Sequence, residues 1–216
     1  MEKRLIIGNW KQNKTLREAK DWLAQVKIDA GEKEIVLCPP YTLLYPLKQE
    51  IESLGIHILL GAQDFPASRA GKHTGEEPGD LLADVVDFAI IGHSERRQDF
   101  SETDELLSKK VKLAKELGIE VIFCIQDKNT FIPSEVNVVA YEPVSAIGTG
   151  NPDDPAEVAA VVEAILSQRK DLKIIYGGSV TSENVSLYTS LPGINGVLVG
   201  TASLDPAEFT LLVKNA

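Results

Sequence analysis

Three side chains that could together move a proton beside a carbonyl each follow a short apolar run in this chain. Glu142 closes Val139-Ala140-Tyr141-Glu142-Pro143, His93 follows Phe88-Ala89-Ile90-Ile91-Gly92, and Lys11 follows Leu5-Ile6-Ile7-Gly8-Asn9-Trp10. A carboxylate can take a proton from carbon; an imidazole and an ammonium can stabilise the oxyanion that results, most effectively where water is excluded. Ala146-Ile147-Gly148-Thr149-Gly150 comes directly after Glu142 and reads as a loop able to cover such a base. Gly177-Gly178-Ser179 and Gly200-Thr201-Ala202-Ser203 follow two more apolar runs. Backbone N–H groups at turns of this kind, with a helix start behind them, make an anion site suited to phosphate. Taken singly, each feature has a plainer reading: a solvated carboxylate, a hydrogen-bonded ring, a surface amine, a tight turn. The argument rests on their joint placement.

The elements that must hold these groups alternate from end to end. Eight runs read as strands: Leu5–Ile7, Ile35–Leu37, Ile56–Leu60, Phe88–Ile91, Val121–Phe123, Val136–Val139, Ile174–Tyr176 and Val197–Val199. Most are apolar on successive residues, as parallel strands buried on both faces require. Between them lie amphipathic stripes such as Leu16, Ala19, Leu23 and Val26, opened by a capping box at Thr15 and Glu18. Asp154-Pro155-Ala156-Glu157 and Asp205-Pro206-Ala207-Glu208 share one helix-start pattern. Eight such units predict an α/β fold, a single (β/α)8 barrel domain over residues 1–216, with ligands at the ends of its strands. One unit falls short. Residues 125–135 are too few and irregular for a full helix, so the fifth crossover is expected as a turn or a single helical turn. The stretch from Asp64 to Gly79 is polar and aperiodic, the mark of a functional or interface loop.

Composition narrows the function. The 216 residues are 44% hydrophobic and 25% charged, enough for a sizeable core, and the net charge of -10 argues against a nucleic-acid surface. Cys38 and Cys124 sit inside apolar runs and read as buried thiols. No metal-ligand spacing appears. The chain enters a strand after four residues, leaving no room for a signal peptide, and no run is long enough to span a bilayer. A soluble, cytoplasmic protein is expected. Trp10 and Trp22 are expected to pack, and His57 and His73 to be structural or surface residues.

The motifs Asn9-Trp10-Lys11, Gly61-Ala62-Gln63, Gly92-His93-Ser94-Glu95-Arg96-Arg97, Ala140-Tyr141-Glu142-Pro143-Val144, Ala146-Ile147-Gly148-Thr149-Gly150 and Tyr176-Gly177-Gly178-Ser179-Val180 together resemble the triose-phosphate isomerase family, in order and over nearly the whole chain. The resemblance implies interconversion of dihydroxyacetone phosphate and D-glyceraldehyde 3-phosphate through an enediolate, in glycolysis and gluconeogenesis, with no cofactor and no metal. It implies Glu142 as the base and His93 as a neutral donor to the substrate oxygens. Lys11 would be the cation, assisted by Asn9 and positioned by Glu95. Gly148, Ser179, Gly200 and the N–H of Thr201 would hold the phosphate. It further implies a homodimer, with a tetramer as the alternative, in which the loop tip around Thr74 approaches the partner's Asn9 and Lys11. Another phosphosugar isomerase on the same barrel, or a phosphate-binding protein without catalysis, remain the competing readings.

Several positions depart from the family pattern. Ser145 stands where tryptophan is common, Thr201 replaces the second glycine of a pair, Asp64 replaces asparagine, and Gln126-Asp127 replace Gly-Glu. The β-branched Thr201 restricts the backbone beside the expected phosphate site. The short fifth crossover is similar to that of compact members of the family, some of them tetramers.

Overall fold

The computed structural model describes residues 3–28, 31–143 and 153–216. Among them lie eight strands, β1 Arg4–Asn9, β2 Lys33–Cys38, β3 Leu59–Ala62, β4 Phe88–Ile91, β5 Glu120–Ile125, β6 Val138–Tyr141, β7 Lys173–Tyr176 and β8 Ile194–Val199. The helices are α1 Leu16–Gln25, α2 Tyr41–Leu54, α3 Gly79–Leu82, α4 Ser94–Asp99, α5 Asp104–Leu117, α6 Pro155–Gln168, α7 Val185–Thr189 and α8 Pro206–Asn215, with a 3-10 turn at Thr201–Ser203. Each strand pairs in parallel with the next, and β1 pairs with β8, so the sheet closes into a barrel in chain order. This is the (β/α)8 architecture.

The apolar runs explain the closure. Leu5, Ile7, Val36, Cys38, Phe88, Ile90, Ile122, Cys124, Val138, Ala140, Ile175 and Leu198 form one buried cluster. Their chain neighbours Ile6, Leu37, Ala89, Ile91, Phe123, Val139, Ile174, Val197 and Val199 belong to a second, which includes the helix residues Leu23, Leu47, Leu107, Val162 and Phe209. Successive strand residues point to opposite faces, so both faces are covered and the strands read as unbroken hydrophobic runs. At the seam, β1 and β8 lie so close that a Cβ on Gly196 would sit 1.9 Å from the Leu5 carbonyl oxygen. Glycine is therefore required where the barrel shuts.

Helix starts follow their local signals. Thr15 and Glu18 form the capping box of α1. Asp154 accepts from Ala156 N at 2.7 Å and Asp205 from Glu208 N at 2.8 Å, each with proline at the first helical position. Trp10 and Trp22 meet edge to face at 5.2 Å, and Trp22 contacts Phe209, so α1 and α8 share one aromatic seam under β1. Both tryptophans are packing residues, as expected.

Two strands are offset from the sequence reading. β3 starts at Leu59, which pairs with Val36, and runs through Gly61 and Ala62; Ile56, His57 and Ile58 lie ahead of the sheet. Apolar pattern alone stops at Leu60. The strand continues because Gly61 packs against Cys38, where an added Cβ would meet Sγ at 2.6 Å. β6 likewise starts at Val138 and ends at Tyr141, in register with Ile125 and Tyr176. The fifth crossover has no helix over residues 126–137, only turns closed by Thr130 N to Asp127 O and Val136 N to Pro133 O. Residues 63–78 have no regular structure and lead into the single turn of α3. No helix among the described residues is long and apolar enough to cross a membrane.

Candidate active site

β1 ends at Asn9, which is buried, and the chain turns sharply to aim Lys11 across the rim. Lys11 has φ +50°, a left-handed backbone that costs a side-chain-bearing residue on the order of 1 kcal/mol. Both of its backbone polar groups are captured by side chains. Its N–H donates to Asn9 Oδ1 at 3.0 Å, and its carbonyl accepts from Gln63 Nε2 at 2.8 Å. Gln63 Nε2 also donates to the Cys38 carbonyl at 2.9 Å, tying the turn to the end of β2. The Lys11 ammonium pairs with the Glu95 carboxylate.

β4 delivers His93 to the same rim as the N-cap of α4. Its Nδ1 accepts from the backbone N–H of Glu95 at 3.2 Å. A ring nitrogen that accepts a hydrogen bond carries no proton, so the proton of the uncharged ring lies on Nε2. Nε2 stands 3.3 Å from Glu142 Oε1. Glu142 follows β6, donates its N–H to Ile125 O at 2.8 Å and accepts from Ser94 N at 3.2 Å through Oε2. Its side chain is 2% exposed. Gly177 leaves room for it: a Cβ there would meet Glu142 Cγ at 2.8 Å. Cys124 lies beneath. Burial first, then the Glu142 carboxylate, push its thiol well above the ordinary value, so it stays protonated; with Cys38 it is a free, buried thiol.

Opposite these groups, the turns after β7 and β8 line one cavity of about 540 Å³. Its walls include Asn9, Lys11, His93, Glu142, Ser179, Gly200, Thr201 and Glu208. An added Cβ on Gly200 would lie 3.7 Å from Lys11 Cε, so the lysine stem runs along that turn. Every expected rim residue among the described ones thus meets at one cavity, except Glu95, which reaches it through Lys11 and His93. Gly148 and Ser145 lie outside the described residues. Gln63, Ser94 and Glu208 were not assigned roles from sequence. Gln63 was visible as a polar residue at a strand tip, whereas a bond from the Ser94 backbone N–H leaves no mark in residue types. No group of three or more His, Cys, Asp and Glu that could hold a metal occurs among the described residues.

A buried charge cluster holds α4 from behind. Lys110 Nζ reaches both Asp64 oxygens at 2.7 Å and Glu102 Oε1 at 2.6 Å. Arg96, on α4, reaches Asp64 and Glu102 at 2.9 Å each. Two cations face two anions, which meets the condition for burying them at all. Burial outweighs the Lys110 and Arg96 charges and pushes the Asp64 carboxyl up to about 6 from 3.8.

The sequence profile of the triosephosphate isomerase family matches residues 4–137 and 130–216. The chain is 37% identical, over an alignment of 251 positions, to a protein named triosephosphate isomerase from Dictyoglomus thermophilum, with both chains covered in full. It is 36% identical to the protein of that name from Aquifex aeolicus, with 98% of each chain covered, and 38% identical to that from Trichormus variabilis, with 99% of each covered.

The Asp64 environment predicts a pH effect on stability. A folded-state value raised from 3.8 to about 6 gives stability that is complete below 3.8 and lost as pH rises through about 6. Asp64→Asn removes that ionisation. Thermal melts at about pH 5 and about pH 7.5 should therefore show the variant gaining on the unsubstituted protein at the higher pH. A gap between the two that is the same at both pH values would contradict this assignment.

Proposed function

Because this chain belongs to the triosephosphate isomerase family, and is an isomerase that interconverts dihydroxyacetone phosphate and D-glyceraldehyde 3-phosphate, we propose that Glu142 is its base, His93 its neutral hydrogen-bond donor and Lys11 its cation. The observation that carries these roles is the bond from Glu95 N to His93 Nδ1, which leaves a protonated Nε2 facing Glu142 across 3.3 Å.

In this reading Glu142 leaves the Ser94 N–H and takes the pro-enediol proton from C1 of dihydroxyacetone phosphate. The C–H electron pair moves into the new C1–C2 double bond and the carbonyl pair onto O2. The Lys11 ammonium and the His93 Nε2–H stabilise that oxyanion as fixed donors, which act the more strongly the less water surrounds them. The ring then passes its proton to O2 and accepts one from O1; the O1 electron pair forms the new C1 carbonyl as the C1–C2 double-bond pair takes the proton back from Glu142 at C2. Asn9 supports Lys11, and Glu95 positions both Lys11 and His93. Ser179, Gly200 and the N–H of Thr201 hold the phosphate, which keeps the three-carbon unit in reach of Glu142.

The same reading puts the enzyme in glycolysis and gluconeogenesis, in the cytoplasm, as a homodimer. The dimer rests on residues 71–77, an exposed run at the tip of the loop after β3. A second copy receiving this tip would bring Thr74 toward Asn9 and Lys11 and stiffen the strained Lys11 turn. Light scattering of the purified protein should give twice the chain mass; a mass of one chain would end the dimer proposal.

Shortening the base by one methylene withdraws the carboxylate while keeping its charge. Glu142→Asp should fold normally and lose about 100-fold in kcat for D-glyceraldehyde 3-phosphate, followed in a coupled assay. A variant as fast as the original protein would remove Glu142 from the role of base.

A further inference from the structure

We propose that Glu208, through Ser182, is a positioning residue that holds the two phosphate-binding turns in one geometry; this rests on the phosphate site of the reading above. Ser182 is 7% exposed and lies three residues beyond Ser179. All its polar groups are taken up by α8. Its N–H donates to Glu208 Oε1 at 2.6 Å and its Oγ–H to Glu208 Oε2 at 2.8 Å. Its carbonyl accepts from Asn215 Nδ2 at 2.9 Å. Glu208 and Asn215 are seven residues apart, two helical turns, and so share one face of α8.

The placement matters because α8 begins right after the other turn. Gly200 and Thr201 stand ahead of Asp205, the cap that fixes the Glu208 N–H, and the Gly200 carbonyl accepts from both Ser203 N at 2.9 Å and Ser203 Oγ at 2.6 Å. Ser203 O in turn accepts from Trp10 Nε1 at 3.1 Å, and the helix itself is anchored by buried Phe209, Leu212 and Val213. The turn after β7 is tied to β6 at its start by Gly177 N to Tyr141 O at 2.8 Å; beyond that, Thr181 N to Asn184 Oδ1 at 2.8 Å and Asn184 Nδ2 to Ser179 O at 3.1 Å are internal and set the shape of its far part rather than its position. Glu208 links that shape to the β8 turn, so donors from two strands face one anion.

Glu208 also lines the cavity itself. A carboxylate on the wall of a dianion site opposes binding. A residue present merely to fill space there would weaken the site. As a double acceptor for Ser182, Glu208 gives the turn a fixed origin, and charge-assisted bonds are the strong ones. Glutamine could keep both contacts, its oxygen accepting from Ser182 N and its amide donating to Oγ, while removing the repulsion.

The test measures Glu208→Ala and Glu208→Gln beside the unsubstituted protein. It reads KM and kcat with D-glyceraldehyde 3-phosphate, inhibition by inorganic phosphate, and turnover of phosphate-free D-glyceraldehyde. Glu208→Ala should raise both KM and the phosphate inhibition constant by about tenfold, the equivalent of a hydrogen bond of about 1.4 kcal/mol, with kcat changed by less than about threefold. Glu208→Gln should bind phosphate at least as tightly as the original, and D-glyceraldehyde turnover should be unaffected by either change. An unchanged phosphate constant in Glu208→Ala, a fall in phosphate-free turnover by the same factor, or a Glu208→Gln as weak as the alanine variant would each overturn the proposal. Should Glu208→Ala fail to fold, Ser182→Ala deletes the Oγ bond alone and should weaken phosphate by about threefold; no weakening overturns the proposal. A protein that binds phosphate and leaves trioses unchanged would sink the functional reading, and the phosphate constants would still decide this one.

Discussion

Glu95 ties together two groups that come from opposite parts of the chain. Its backbone N–H fixes the His93 ring, and its carboxylate holds the Lys11 ammonium. One residue thus sets both the tautomer of the imidazole and the place of the cation. The first bond is local to the start of α4, but the second could not form without the closed barrel. Lys11 and Glu95 are 84 residues apart, and they meet because β1 and β4 end on the same rim. The parallel register dictates that rim, and the seam at Gly196 shuts it.

The site also shows where the fold gives up local stability. Lys11 sits in a left-handed conformation, with Asn9 and Gln63 holding its two backbone groups. Lys110, Arg96, Asp64 and Glu102 are taken out of water behind α4. Strain and buried charge persist where the surroundings over-determine them, and both here lie next to the residues that must be aimed. The reactive groups are carried by strand ends and by the first turn of a helix, while the long loop after β3 stays outside the cavity. The reacting groups are therefore placed by regular elements, as tight positioning demands.

Much of this was legible in the residues. The strands appear as continuous apolar runs because both barrel faces are covered, and capping at Thr15, Asp154 and Asp205 marks three helix starts directly. Glu142, His93 and Lys11 were visible because charged or polar residues at the ends of apolar runs need a reason. Strand ends were less legible. β3 runs on through Gly61, which by type reads as a break, because the position faces Cys38 and has no room for a side chain. The bonds that fix the site were hidden for a different reason. Ser94 and Glu95 use backbone N–H groups that every residue but proline has, and Glu208 reaches Ser182 across 26 residues with no local pattern to announce it.

The chemistry assigned to this rim depends on which nitrogen of His93 holds the proton. Nitrogen-15 spectra of the protein labelled at histidine, near neutral pH, would read it for each ring. The bond from Glu95 requires that His93 show a bare, hydrogen-bonded Nδ1 and a protonated Nε2. A proton on Nδ1, whether in the other neutral tautomer or in a doubly protonated ring, would contradict the account.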